Sequence, residues 1–549
     1  MRDPRVILEN RPGAKYLLLG NEAVVRGAIE AGVHVVTTYP GTPASEIGDT
    51  ISRIAGDAQI YMEYSTNEKV ALEVAAGTSF AGARALTAMK MVGLNVASDM
   101  LVSLGYTGVR GGLVAVVADD PDCFSSQDEQ DSRYYALLAN IPCLEPSNPQ
   151  EARDMLLSAF QISEKLELPV LLRMATRVSH TRGIVRFGRI GKTELGSFVR
   201  DTKRFVMVPE NARRAHRALL EKMRLASNIS ERSPHNRVIG RGSVGLVTSG
   251  LSYNYSAEAL KLLDGSARIL KIGMVNPFPV ALTTRFLRMF RQVVVVEELE
   301  PLLEVQARAI VGGMAKRPKV CGKLDGLFPR YGEFSTKLVA AGLAKAFGKT
   351  LPTSYERTIR RAAEATADIP PRPPVLCPGC PHIASFRAIR VATRDRAIVS
   401  SDIGCYTLGY QPPYSVGDLQ LCMGSSVGIG SGISKFSDDP VIGVVGDSTF
   451  FHGAIPGLIN AVYNNHKFVY VVLDNMTTAM TGHQPHPGTG TTAMGTSSRR
   501  VLIEDLAKAC GVEWVRVVDP FEHKAAVSTI QEAILQNGPA VIVFRRACV

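Results

Sequence analysis

Val441-Ile442-Gly443-Val444-Val445-Gly446-Asp447-Ser448, answered by Phe468-Val469-Tyr470-Val471-Val472-Leu473-Asp474-Asn475, decides the fold of this chain. Each apolar run is short, rich in β-branched residues and apolar on both faces, which is the pattern of a strand buried inside a parallel sheet. A helical pattern, roughly His452 to Asn464, joins them, so the stretch reads as a βαβ unit. Asp447 and Asn475 stand 28 positions apart, one at the carboxyl end of each strand, the edge at which open α/β sheets bind ligands. A carboxylate and an amide aimed at one point suit Mg²⁺, a hard cation held by few protein oxygens together with substrate phosphates. A tight turn at Gly446-Asp447-Ser448 with no ligand is the plain alternative, and the matched Asp474-Asn475 pair weighs against it.

Outward from this unit, the pattern predicts an α/β chain with three doubly wound parallel-sheet domains. The first block, 1–190, alternates strands at Val33–Thr38, Leu113–Ala118 and Pro169–Met174 with helices at Ala23–Ala31, Glu68–Ala81 and Pro149–Leu166. A basic connecting segment follows at 191–240. The second block, 241–350, opens with Val244-Gly245-Leu246-Val247-Thr248-Ser249-Gly250. It continues through strands at Ile269–Ile272 and Val293–Glu297 to a helix at Leu338–Phe347. A Pro-rich linker at 351–374 ends in Pro370-Pro371-Arg372-Pro373-Pro374, extended and semi-rigid. The third block, 375–549, carries the opening βαβ unit with further strands at Ala397–Ser401 and Ala540–Phe544.

Composition excludes several classes of function. The 549 residues are 46% hydrophobic and 21% charged, an ordinary globular balance with room for about three or four domains. No apolar run approaches the roughly 20 residues of a membrane span, and Met1-Arg2-Asp3-Pro4-Arg5 lacks a signal-peptide stretch; the expected location is cytoplasmic. The net charge of +11 is concentrated in the basic segment, including Lys203, Arg204, Arg213, Arg214, Arg217, Lys222 and Arg224. Its rings (Phe187, Phe198, Phe205) precede the arginines instead of interleaving with them, so no nucleic-acid platform is expected. A solvated helix is the plain reading, and a docking surface for an acidic partner such as a ferredoxin, or for a CoA phosphate, the sharper one.

Gly446-Asp447-Ser448 with Asp474-Asn475 resembles the diphosphate-binding motif of thiamine diphosphate enzymes. That resemblance implies that Asp447, Asn475 and the backbone carbonyl of Thr477 hold Mg²⁺ against the diphosphate. Such enzymes grip the cofactor between two related domains, so the first block should hold the aminopyrimidine, whose N1′ needs a carboxylic acid. Glu63, Glu68 and Glu73 are the candidates by position. Glu68 opens an apolar helix followed by small residues, where a favourable interaction with the helix dipole is the bland alternative. The stretches Tyr39-Pro40-Gly41-Thr42-Pro43-Ala44-Ser45-Glu46, Asn67-Glu68-Lys69-Val70-Ala71, Met89-Lys90-Met91-Val92-Gly93-Leu94-Asn95, Ser125-Ser126-Gln127-Asp128-Glu129-Gln130-Asp131-Ser132-Arg133 and Thr478-Ala479-Met480-Thr481-Gly482-His483-Gln484-Pro485-His486-Pro487-Gly488 carry the choice further. Over essentially the whole chain they resemble the 2-oxoacid:ferredoxin oxidoreductases, most closely the large subunits that act on indolepyruvate. The resemblance implies a pyrimidine-binding first domain, a transketolase C-terminal-like second domain and a diphosphate-binding third. It also implies that Glu68 is the N1′ acid and that Thr42 faces the 2-oxoacid. The family pattern places a His where this chain has Met91.

Cysteines add a second kind of site. Cys377-Pro378-Gly379-Cys380 is a CxxC pair, Cys405 follows 25 positions on, and Cys548 lies just past the last strand. Four thiolates at strand ends suit a [4Fe–4S] cluster or a structural zinc, and spacing alone leaves both open. The resemblance implies the cluster, proximal to the cofactor, on Cys377, Cys380, Cys405 and Cys548. Cys422 and Cys510 compete for the fourth place. Cys422, with Met423 and Gly424, is expected instead to line the thiamine diphosphate pocket, and Cys510 to be core. Cys123, Cys143 and Cys321 read as structural.

The expected function is oxidative decarboxylation of an aryl 2-oxoacid to an acyl-CoA, with single electrons passing through the cluster to ferredoxin. His483 and His486 either act on substrate or protons, or merely order their glycine-rich loop. The family's large subunits usually continue into a ferredoxin-like domain, whereas this sequence stops at Val549. A separate Fe–S subunit or ferredoxin is therefore expected to relay electrons; the resemblance also implies a smaller second subunit, since the family normally supplies a further domain separately, and cofactor sites at paired-domain interfaces imply an oligomer. A non-oxidative decarboxylase or carboligase with vestigial or zinc-bound cysteines is the runner-up, and a non-catalytic scaffold subunit the third reading.

Overall fold

The fold was read from a computed structural model, which describes residues 3–549. Residues 3–62 and 68–369 form one compact unit, and residues 370–549 with 63–67 form another. The chain is α/β, with parallel strands crossed by helices throughout.

The second unit contains a six-stranded sheet in the order Leu419–Gln420, Ile398–Ser401, Val441–Gly446, Val469–Asp474, Ala540–Arg545 and Trp514–Val518, with every neighbouring pair parallel. The opening stretch of sequence forms its centre: Ile442 pairs with Val469 and Gly446 with Leu473. Both strands are buried along their whole length, which is why they carry no polar alternation. Two apolar cores flank the sheet, one built on Phe386, Ile389 and Ile530, the other on Phe450, Leu458 and Ala507.

In the first unit, Met274–Asn276, Cys143–Leu144, Val170–Ala175, Leu113–Asp119, Ala85–Lys90 and Val35–Thr38 lie side by side as six strands of a seven-stranded sheet whose edge strand is Tyr61–Tyr64. Met274–Asn276 comes from the second sequence block and pairs antiparallel with Cys143–Leu144. A five-stranded sheet, Lys319–Cys321, Gln292–Val296, Val244–Ser249, Ala267–Ile272 and Arg237–Ile239, is parallel except at its last strand. The two blocks share one core cluster, with Leu94 and Leu101 from the first packed together with Phe286 and Val295 from the second. They also share a buried ionic network. The Arg133 guanidinium binds Asp131 at 2.6 Å and Glu297 at 3.0 Å. Arg173 binds Asp119 at 2.8 Å and also meets Glu145.

The basic segment forms a helix, Pro209–Glu231, that buries only Leu219, Ala226 and Ser230. Part of its charge is structural: Lys222 Nζ donates to Glu167 O at 3.1 Å, and from the preceding turn Arg204 Nε donates to Thr107 O at 2.9 Å. The 351–374 stretch departs from the expected linker, because Thr353–Thr366 is a helix with no buried residue, and the prolines after it lie in neither helix nor strand. Among the described residues, no helix is long and apolar enough to cross a membrane.

Candidate active site

The carboxyl edge of the second unit's sheet collects most of the residues singled out by sequence. Asp447 begins the helix that follows Val441–Gly446 and is buried; Asn475 follows Val469–Asp474 and is buried too. The Asn475 side-chain oxygen stands 2.8 Å from the Thr477 carbonyl oxygen and 3.2 Å from Asp447 Oδ2. A carboxylate, an amide and a backbone carbonyl are thus gathered at one point, with Thr477 N donating to Asp447 Oδ2 at 3.3 Å and the reversed amide able to donate to the other two oxygens. The set therefore fits Mg²⁺, which takes hard oxygen ligands of this kind.

His486 completes the arrangement around Asp447. Its Nδ1 accepts from Gly488 N at 3.1 Å, which leaves the proton on Nε2 to be donated to Asp447 Oδ2, also 3.1 Å away. Both side chains are buried. Gly488 is close-packed against this ring, since a Cβ there would lie 2.9 Å from His486 Cε1. Of the two histidines, His486 thus orients the clamp carboxylate, as outer partners of metal ligands commonly do. His483 occupies a left-handed turn position, φ 63°, and its N–H donates to Thr478 O at 3.0 Å. Ser448 Oγ accepts from Thr478 Oγ1 at 3.0 Å. Asp474 is turned elsewhere: its carboxylate takes Arg545 Nε at 2.7 Å, and burial, with Asp447 nearby, pushes its proton affinity up.

Gly424 has φ 85° and approaches Gly453 so closely that a Cβ would lie 2.6 Å from the latter's carbonyl carbon. It precedes helix Ser425–Ile433, while Cys422 is exposed and Met423 partly buried. The sequence reading passed over Asp402, at the end of strand Ile398–Ser401, which accepts from Ser426 N at 3.3 Å and from Ser426 Oγ. Burial raises its carboxyl to about 6 against these hydrogen bonds. His382 was also missed. It is buried two residues after Cys380, and burial lowers its imidazole to about 4 despite the opposing charge of Asp447.

The four cysteines lie near enough to act on one another. Burial raises the Cys405 thiol to about 11, with Cys380, Cys548 and Cys377 adding to the rise, and Cys380 and Cys548 are raised in the same way. Among the described residues no group of three or more His, Cys, Asp or Glu side chains is gathered closely enough to hold a single metal ion. The chain end is fixed by backbone contacts. Cys548 N donates to Asn475 O at 3.1 Å, and a Cβ at Gly379 would lie 3.6 Å from Val549 Cγ1. Cys510 packs at the edge of a core cluster.

In the first unit, Glu68 begins helix Glu68–Phe80 and is buried. Its carboxylate lies over Gly93: a Cβ at that glycine would meet Glu68 Cγ at 2.5 Å and Cδ at 2.6 Å. Thr42 sits in a loop against Lys90 and Ser125; Ser125 Oγ donates to Thr42 O at 3.3 Å, and Lys90 Nζ donates to Ser125 O. Burial lowers the Lys90 ammonium's proton affinity, with Asp120 opposing. Met91, in the place of the family's His, is packed: its Sδ accepts from Asp120 N at 3.4 Å.

Comparison with known proteins follows the same division. Residues 26–195 match the family described as pyruvate flavodoxin/ferredoxin oxidoreductase, thiamine diphosphate-binding, and residues 379–544 match the thiamine pyrophosphate enzyme C-terminal TPP-binding domain. The chain is 46% identical to the indolepyruvate oxidoreductase subunit IorA of Archaeoglobus fulgidus over 99% of its own length and 88% of the relative's. It is 48% identical to IorA of Methanothermobacter thermautotrophicus, with the same coverage. A solved 2-oxoglutarate:ferredoxin oxidoreductase from Magnetococcus marinus, with 2-oxoglutarate, coenzyme A and succinyl-CoA bound, shares the fold at a TM-score of 0.51 and 17% identity, covering 60% of this chain and 65% of that one. The chain belongs to the indolepyruvate oxidoreductase IorA family, within the thiamine diphosphate-dependent 2-oxoacid:ferredoxin oxidoreductases. It is an enzyme subunit, and its class of reaction is thiamine diphosphate-dependent oxidation of a 2-oxoacid.

Proposed function

We propose that the chain oxidatively decarboxylates an aryl 2-oxoacid of the indolepyruvate or phenylpyruvate kind. The 2-oxoacid, coenzyme A and two oxidised ferredoxins give acyl-CoA, CO₂, two reduced ferredoxins and a proton. Thiamine diphosphate, when bound, supplies the electron sink for decarboxylation. Asp447, Asn475 and the Thr477 carbonyl hold Mg²⁺, and His486 fixes the Asp447 carboxylate. Ser448, Cys422, Met423 and Gly424 line the diphosphate side. Glu68 hydrogen-bonds N1′ of the aminopyrimidine, and Thr42 orients the 2-oxoacid beside Lys90. Cys377, Cys380, Cys405 and Cys548 would hold a [4Fe–4S] cluster, which would supply one-electron acceptance. A smaller second subunit completes the assembly, with a ferredoxin or separate Fe–S subunit as acceptor.

The observation that most supports this reading is the bond from Cys548 N to Asn475 O, 3.1 Å, which joins the backbone of a proposed cluster residue to that of a proposed cation ligand. Iron–sulfur is favoured over zinc by the chemistry: removing electrons singly from the substrate needs a redox-active centre, and Zn²⁺ has no redox role. The test is anaerobic turnover of the chain with its second subunit, using indolepyruvate, phenylpyruvate, CoA and a viologen dye. Aryl acyl-CoA formed with two reduced dye molecules per CO₂ is expected. Free aldehyde with unreduced dye would establish the non-oxidative alternative, and no CO₂ the scaffold.

A further inference from the structure

We propose that His382 donates a ring N–H to the diphosphate of bound thiamine diphosphate; the inference rests on the thiamine diphosphate reading of the clamp and adds a residue to it. His382 is the second residue of the 13-residue helix Pro381–Thr393. Its ring stands edge-on to Tyr406, with centroids 6.0 Å apart, and Tyr406 lies just past the carboxyl end of strand Ile398–Ser401. Tyr406 in turn presses on Gly446, where a Cβ would lie 2.7 Å from Tyr406 Cε1. One ring therefore separates His382 from the residue preceding Asp447. The helix start is thereby placed at the ligand edge of the sheet.

The side chain is unusual for its position. His382 is 3% exposed, yet neither ring nitrogen has a hydrogen-bond partner among the described residues. Buried polar side chains are nearly always satisfied. An imidazole this buried and unpaired within the protein depends on water or a ligand for its hydrogen-bond partner. A helix N-terminus offers N–H groups and a positive dipole end to an anion, and a cation clamp beside it fixes that anion as a phosphate chain. The orphan donor, the helix start and the clamp thus converge on one ligand class, a magnesium-bound diphosphate. Cys380 lies two residues earlier, so the same turn would join the cluster loop to the cofactor.

The probe is inorganic pyrophosphate with Mg²⁺, which tests the anion contact without the thiamine rings or turnover. Calorimetric titration of the anaerobically purified chain would compare wild type with His382→Leu, His382→Phe and His382→Gln. Phe keeps the ring packed on Tyr406 without an N–H; Gln keeps a donor. Loss of a hydrogen bond to a charged acceptor predicts affinity for pyrophosphate and for thiamine diphosphate weakened about tenfold or more in Leu and Phe, with Gln within about threefold of wild type. Circular dichroism identifies folded variants, and Phe decides if Leu fails to fold. Wild-type affinity in His382→Phe would overturn the inference while leaving the clamp intact. A wild-type chain that binds neither pyrophosphate nor thiamine diphosphate with Mg²⁺ would overturn the clamp reading, and the inference with it.

Discussion

Gly93→Ala adds one methyl group where the structure leaves no room for it, directly beneath the carboxylate assigned to the aminopyrimidine. The new Cβ would stand 2.5 Å from Glu68 Cγ and 2.6 Å from Cδ. Carbon atoms settle at about 3.5–4.0 Å, so Glu68 must retreat by about 1 Å. A displacement of that size in a positioned group costs about 10²-fold in rate, and overpacking costs about 1–3 kcal/mol of stability. At an exposed helical site the same change would stabilise by roughly 0.5–1 kcal/mol, so the sign of the stability change is informative by itself. The assay is deuterium exchange at the thiazolium C2 of bound thiamine diphosphate, followed by NMR, beside calorimetric cofactor affinity and thermal unfolding. We expect exchange slowed about 10²-fold, unfolding at lower temperature and cofactor affinity close to wild type, with Glu68→Gln losing the exchange outright. Wild-type exchange in Gly93→Ala would refute the placement of Glu68 at N1′.

Three further predictions address other parts of the molecule. His486→Ala removes the group that holds Asp447 and should weaken Mg²⁺-dependent cofactor binding by about 10–100-fold; calorimetry with varied Mg²⁺ checks it. Arg133→Met leaves Asp131 and Glu297 buried without their cation and should destabilise the first unit by about 3–5 kcal/mol, read by denaturant unfolding. Asp402 has a folded-state carboxyl raised to about 6, so the native state binds its proton more tightly than the unfolded chain does. Its contribution is therefore lost as pH rises from about 4 to about 6, by up to about 3 kcal/mol. Asp402→Asn, fixed neutral, should gain stability relative to wild type across that window, and parallel stability curves for the two proteins would contradict the prediction.

Much of the second unit was legible because its information is local. A buried parallel strand needs a continuous apolar run, and the residue that ends it falls at the ligand edge, so Asp447 and Asn475 could be placed from sequence alone. Their partner His486 was left undecided, because a loop histidine carries no periodicity to show which way it points. His382 and Asp402 passed unnoticed for a related reason: each is a single polar residue at the end of a helix or strand, and only its burial makes it unusual. The helix Thr353–Thr366 was read as linker because the proline run after it dominates the segment, and it buries nothing. The Met274–Asn276 strand and the Arg133 network join residues more than 100 positions apart, a pairing that no local pattern encodes. Gly93 stood within a recognised motif, but its purpose appears only when the Glu68 carboxylate is placed over it.

The central claim is that one strand-end region of this chain couples a thiamine diphosphate site to an iron–sulfur cluster. Anaerobic reconstitution of the chain with iron, sulfide, Mg²⁺ and thiamine diphosphate tests it most directly, by metal analysis and visible absorption. The account predicts about four irons per chain, as one cubane on four cysteines requires. It also predicts broad visible absorption that phenylpyruvate or indolepyruvate bleaches, and loss of both in Cys405→Ser. Zinc in place of iron, or a cluster whose absorption neither substrate changes, would contradict it.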